Sequence, residues 1–216
     1  MKKIQLHFIP RSWRVALCFS AIFTLYAIAT EPTGRQSFVN PYLAEKSAPA
    51  NNADEARKKR SKAAFKEAYK VFMHPRCMNC HPNGDIPLQG DDSHLHTQGV
   101  RRGVDGKGLY ALKCKNCHQD ENLDGEHLPP GNANWHLPPA HRPMVFQGKS
   151  PRELAIHFKD TSFTGFKDVA HLIEHVENDH LVQHSFTYGT RPPLTHKAFV
   201  EKVKEWINTG AELPDK

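Results

Sequence analysis

Four of the chain's five cysteines fall in two copies of one pentapeptide, Cys77-Met78-Asn79-Cys80-His81 and Cys114-Lys115-Asn116-Cys117-His118. Two thiols at this spacing can reach the two vinyl groups on one edge of a porphyrin. A histidine next in the chain then brings its imidazole under the iron. Cys-x-x-Cys-His is for that reason the attachment signature of c-type haem. The motif predicts two haem c groups, with Cys77, Cys80, Cys114 and Cys117 as covalent anchors and His81 and His118 as proximal ligands. Two Cys-x-x-Cys pairs can also hold a structural zinc, ordinarily with about 15–20 residues between them. Here the stretch from Cys80 to Cys114 is longer, and zinc does not explain a histidine after both pairs. Two disulfides in an oxidising compartment meet the same objection.

Each iron needs a second axial ligand, usually Met or His, and Met raises the potential. Three methionines lie beyond the N-terminal leader described below. Met78 sits inside the first attachment loop and Met73 just ahead of it, which leaves Met144 as the thioether candidate. Among the histidines, His94 and His96 lie between the two motifs on a Gly-flanked loop able to reach either iron, and His96 is favoured of the two. His136 and His74 are the alternates. A further group, His171, His175, His180 and His184, contains the His-x-x-Glu-His pattern of inverted zinc peptidases. Its simpler reading is a solvated, histidine-rich helix face.

The elements that must position these residues are mainly helical with long irregular connections. Ala64, Phe65, Ala68, Tyr69 and Phe72 recur at helical spacing, predicting a helix from about residue 54 to 73, ended by Pro75 and delivering the chain into the first motif. Residues 82–112 and 120–151 are rich in Gly, Pro and polar side chains and carry no helix or strand of normal length. Long loops of this kind are functional or disordered, and a haem plate would order them. Helices return over 151–159, with Ser150 as cap and Pro151 at the first position, over 166–184 with a break near Asn178, and over 195–209. The last has Phe199, Val200, Val203, Trp206 and Ile207 on its inner face and Gly210 as a stop. By analogy with cytochrome c folds, it is expected to cross the first helix.

Lys2, Lys3, Arg11 and Arg14 precede an uncharged, mostly apolar run, 15–29, that ends in Ala27-Ile28-Ala29. This reads as a secretory signal peptide over residues 1–29, too short in its apolar run for a typical spanning helix, although an uncleaved anchor would tether the protein to the membrane. Cys18 lies within it. Residues 30–53 read as a flexible linker. The whole chain has 29 basic and 23 acidic residues. Removing the four basic residues of the leader leaves 25 against 23, so the basic character is largely the leader's and implies no nucleic-acid partner. The run Arg57-Lys58-Lys59-Arg60 is a solvated helix face or a docking patch for a redox partner. The two motifs start at residues 77 and 114, too close for two domains of roughly 50–200 residues each. One domain, 54–216, is expected to hold both haems in the manner of a cytochrome c-like fold.

His74-Pro75-Arg76 with the first motif and Pro82, then Pro87-Leu88-Gln89-Gly90-Asp91, Trp135-His136-Leu137-Pro138-Pro139 and Met144-Val145-Phe146-Gln147-Gly148-Lys149-Ser150-Pro151, resemble a family of small exported bacterial dihaem cytochromes often labelled isoquinoline 1-oxidoreductase subunit. The resemblance covers about residues 60–212. It implies a cytochrome that accompanies a molybdenum hydroxylase, although no residue here is identifiable as binding molybdopterin. A weaker likeness is to the dihaem small subunit of periplasmic nitrate reductase, carried by His94, His96 and Asp105-Gly106-Lys107 ahead of the second motif. That likeness implies histidine on the far side of both irons, in place of Met144. The function expected is electron transfer in the periplasm between a partner oxidoreductase and a respiratory acceptor. The alternative is a dihaem peroxidase with one open iron site.

Overall fold

The structure is a computed structural model. It describes residues 41–125 and 128–215, with side chains from residue 51 onward. The expected leader, its cleavage site and the first part of the expected linker lie outside the described residues.

A 32-residue helix, α1 (Pro41–Phe72), forms the first wall. It starts earlier than the periodicity predicts and takes in residues 41–53, which read in sequence as linker. Pro41 stands at the first helical position, where its missing N–H costs nothing. Past the first two turns, pairs such as Lys58 with Asp54 (2.7 Å) and Lys70 with Glu67 (2.7 Å) run along the exposed face.

The inner face of α1 carries Ala64, Phe65, Ala68, Val71 and Phe72, all buried. It packs along α7 (His196–Asn208), which supplies Phe199, Val200, Val203 and Trp206 to the same core. Phe65 and Trp206 meet with ring centres 4.6 Å apart. The two helices are also tied by polar groups. The buried Ser61 hydroxyl donates to the Trp206 carbonyl (2.9 Å) and accepts from the Glu212 amide (3.1 Å). The Arg57 guanidinium donates to the Thr209 carbonyl. The expected crossing of first and last helices is present.

Between these helices the chain runs through α2 (Pro75–Met78), two minimal hairpins, and a 3₁₀ turn at Cys114–Asn116. In the first hairpin β1 (Leu88–Gln89) pairs antiparallel with β2 (His94–Leu95). In the second β3 (Gly108–Leu109) pairs with β4 (Leu112–Lys113). The chain then passes through irregular loops to α3 (Pro151–Lys159), α4 (Thr161–Thr164), α5 (His171–Asn178) and α6 (His180–Ser185).

Sequence signals account for these ends. Ser150 and Glu153 form a reciprocal capping box at the start of α3. Asp179 separates α5 from α6 because its carboxylate accepts from the Leu181 and Val182 amides (2.8 and 3.1 Å) and caps the new helix. The fold is therefore mainly helical with a few short strands. Among the described residues no helix is long and apolar enough to cross a membrane.

Candidate functional site

The first pentapeptide follows α1 after one short turn. His74 caps α2, its Nδ1 accepting from the Arg76 amide (3.2 Å), and Pro75 opens the helix. This use of His74 as a cap commits one ring nitrogen and sets it apart from the ligand candidates. Within α2 and the following turn, backbone bonds from Cys80 to the Cys77 carbonyl (3.1 Å) and from His81 to the Met78 carbonyl (2.9 Å) curl the motif, so that Cys77, Cys80 and His81 line one cleft.

That cleft measures about 1060 Å³ out to its solvent mouth. Its floor is aromatic: Phe72, Phe146, Phe158 and Phe199, with Phe146 and Phe158 ring centres 5.5 Å apart. Leu172, Val176, Leu181 and Val182 of α5 and α6 close another side. The cleft continues the hydrophobic core, so an apolar plate placed in it would be buried as core side chains are.

The histidine of each pentapeptide is held in the same way. His81 Nδ1 donates to the Met144 carbonyl (2.8 Å), and its ring stacks on Phe146 with centres 3.8 Å apart and planes 4° from parallel. His118 Nδ1 donates to the Pro130 carbonyl (2.7 Å), and its ring stacks on Trp135 with centres 4.0 Å apart and planes 9° from parallel. A carbonyl can only accept, so both rings carry their proton on Nδ1 and keep the Nε2 lone pair free. This is the second-shell arrangement that orients a ligating imidazole. Burial lowers the His81 pKa to about 3 and moves His118 in the same direction. Both rings are therefore neutral at physiological pH, the state in which imidazole binds a metal.

The four cysteines are free thiols, not disulfides. Cys114 is buried and Cys117 exposed. Burial pushes the Cys77 thiol up to about 12 and Cys80 to about 11, and Cys114 is near enough to raise Cys80 further. The two pentapeptides thus stand side by side. Arg102 lies between their loops. Its side chain is wholly buried, donating to the Pro138 carbonyl (2.7 Å) and the Gly84 carbonyl (3.0 Å), with the Asp85 carboxylate 3.9 Å away. Gly106 brings the loops together, since the Leu137 amide donates to its carbonyl (2.9 Å). At φ +79° a Cβ on Gly106 would overlap the Leu137 carbonyl, so only glycine fits.

The remaining candidates are spread around these centres. The Met144 carbonyl accepts from His81 Nδ1, and Met144 is itself among the residues lining the cleft. His136 lines the cleft, with Nδ1 donating to the Asn134 carbonyl (2.5 Å) and Nε2 free. His96 stands near the second centre, its ring 6.4 Å from that of His118. His94 is exposed, 2.6 Å from the Asp92 carboxylate.

One cleft-lining histidine that the sequence reading did not name among the candidate ligands is His175, on α5 beside Val176, with the Asp179 carboxylate 3.8 Å from its Nδ1. The His-x-x-Glu-His pattern hid it. His171 instead pairs with Asp168 at the surface (2.9 Å), and among the described residues no three His, Cys, Asp or Glu side chains converge as a metal-binding group. An i, i+4 apolar partner at Leu172 and Val176 flanking His175 was the available signal.

The residues present fit a covalently held haem at the first motif on three counts. Two thiols and a neutral, oriented imidazole share a cleft with an aromatic floor. Arg76, which also lines that cleft and already pairs with the Asp91 carboxylate, keeps a buried Nε with no hydrogen-bond partner, a spare donor for a further acceptor. Histidines stand on other walls.

No protein-family model, no curated protein and no solved structure matches this chain.

Proposed function

We propose that this protein is an exported dihaem c-type cytochrome that carries electrons between a partner oxidoreductase, of the molybdenum hydroxylase kind, and a respiratory acceptor in the periplasm. The observation that carries this reading is the doubled environment of His81 and His118. Each ring is backed by a carbonyl on Nδ1 and by a stacked aromatic, and each follows two free thiols. Such repetition at two unrelated places in the chain is what two equivalent axial ligands require, and no structural zinc or disulfide needs it.

Cys77 and Cys80 would anchor one haem and Cys114 and Cys117 the other, with His81 and His118 as proximal ligands. The iron supplies a one-electron change between ferric and ferrous states. The chain's own residues bury the group, fix the imidazole orientation and place buried cations beside it. His96 is the reading for the far side of the second iron. Its ring is 6.4 Å from that of His118, and its buried Nδ1 has no hydrogen-bond partner. For the first iron His175 and His136 are preferred to Met144, because both line the cleft and the Met144 carbonyl is engaged by His81 Nδ1.

The test is production in a host able to attach haem c, followed by a pyridine haemochrome assay and intact mass. The expected result is two haems per chain, lost one at a time in Cys77→Ala/Cys80→Ala and Cys114→Ala/Cys117→Ala. A colourless product of unmodified mass overturns the reading. A high-spin resting spectrum that binds cyanide would move it to a peroxidase.

A further inference from the structure

Behind the Met144 segment lies a second, shallower pocket that the haem reading does not use. It is lined by His141, Arg142, Lys149, His157 and Ser162 around a small apolar patch at Phe163, with a volume of about 530 Å³ out to solvent. No carboxylate lines it. The two acids nearest to it are committed elsewhere. Glu153 accepts from the Ser150 amide and hydroxyl (2.8 and 2.7 Å) in the capping box of α3. Asp160 accepts from the Ser162 amide and hydroxyl (2.8 and 2.7 Å) as the cap of α4.

Among the described residues neither Arg142 nor Lys149 has a carboxylate within ion-pair distance. Gly165, in the left-handed region at φ +72°, leaves the space that the Arg142 guanidinium fills, and a Cβ there would collide with it. The guanidinium is thus given room but no counter-charge. His157 supplies an independent observation. Its ring stacks on Phe163 with centres 4.6 Å apart, while its Nδ1 is buried without a hydrogen-bond partner. Buried polar atoms of this kind ordinarily have a partner. Burial and the neighbouring Lys149 ammonium keep the ring below its ordinary pKa, and a neutral ring can present its single N–H on Nδ1.

We propose that this pocket binds a small tetrahedral oxyanion of the phosphate class, held by Arg142, Lys149 and His157 Nδ1. Guanidinium and ammonium donors are the strong partners for such an anion. The donors come from two segments, the 141–149 loop and α3, around a pocket with no carboxylate in its lining, although Glu153 and Asp160 lie near enough to act on His157. The same positive wall could instead take a haem carboxylate, because Arg142 also lines the haem cleft. A free anion and a haem carboxylate share this chemistry, and the experiment separates them.

Inorganic phosphate is titrated calorimetrically into the purified holoprotein at constant ionic strength. The expected result is saturable one-site binding that Lys149→Gln and His157→Gln each weaken by at least about tenfold, with the visible spectrum unchanged and with Lys58→Gln, whose ammonium pairs with Asp54 on α1 outside the pocket lining, binding as the parent does. Absence of saturable binding at millimolar phosphate, including absence because a haem carboxylate already fills the pocket, overturns the proposal. So does equal binding by all three variants. The readout needs no haem. A colourless chain that binds phosphate keeps this site while the cytochrome reading fails, and a red chain that does not bind loses only the site.

Discussion

Cys77 and Cys80 lie deep enough in their cleft for burial to push their thiols up to about 12 and about 11. Thiolate is the reactive form, so both are inert near neutrality once the fold has closed, whereas Cys117 is exposed. In haem-free protein, iodoacetamide at pH 8 is expected to label Cys117 first and Cys77 and Cys80 last. The slow rates should rise about tenfold per pH unit until they approach those values. Peptide mass mapping reads the order, and fast labelling of Cys80 at pH 8 would contradict the folded cleft. At the histidines, His175→Ala is expected to abolish the low-spin bands of one haem of the two, His136→Ala to leave them, and Met144→Leu to leave them with no near-infrared band to lose. A retained spectrum in His175→Ala would transfer the role to His136.

The helices and loops divide the work between stability and placement. Ser150 anchors α3 through a complete capping box. Replacing it by Ala removes the hydroxyl half, while the residue 150 amide still donates to Glu153, and should cost about 1 kcal/mol, seen as a lowered melting temperature with both haem spectra intact. Gly106 acts differently. Its carbonyl receives the Leu137 amide (2.9 Å), and its Cα faces the Leu137 carbonyl. Gly106→Ala must displace the loop that carries Trp135, the ring on which His118 stacks. The expected outcome is a loss of roughly 1–3 kcal/mol together with disturbance of the second haem alone, read by comparing melting curves with the low-spin spectrum. Equal disturbance of both haems would show that the loops do not act separately. The α1–α7 pair is the scaffold for both sites, because α1 delivers the chain directly into the first motif.

At the scale of the whole molecule, the two pentapeptides share one body. Cys114 influences Cys80, and the buried Arg102 joins the loops of both motifs. Two charges roughly 10 Å apart, acting through an effective dielectric of about 20, interact by about 1.7 kcal/mol, or roughly 70 mV for one electron. Removing the second haem with Cys114→Ala/Cys117→Ala should therefore shift the midpoint of the first by tens of millivolts, and spectroelectrochemical titration would detect it. Identical midpoints in the single-haem and two-haem proteins would mean that the centres are insulated from each other. Arg102→Met removes a buried positive charge that acts on Cys80 and His81, both of the first pentapeptide. The potential of the first centre is expected to fall.

Local chemistry alone determined the anchors, the helices and their ends. The two Cys-x-x-Cys-His pentapeptides, the period of Phe65, Ala68 and Phe72, the Ser150–Glu153 box and the Phe199–Trp206 face depend on neighbours within a few positions, and a linear chain displays such neighbours. The start of α1 at Pro41 was not legible, because polar residues without apolar period carry no signal for extending a helix. Tertiary structure decided the rest. Only folding could bring His175 to the cleft wall, set the Met144 carbonyl against His81, and stack Phe146 and Trp135 on the two histidines. The two stacks join residues 17 positions apart, His118 and Trp135, and 65 apart, His81 and Phe146, and no short-range pattern in the sequence encodes which distant surface a side chain will meet.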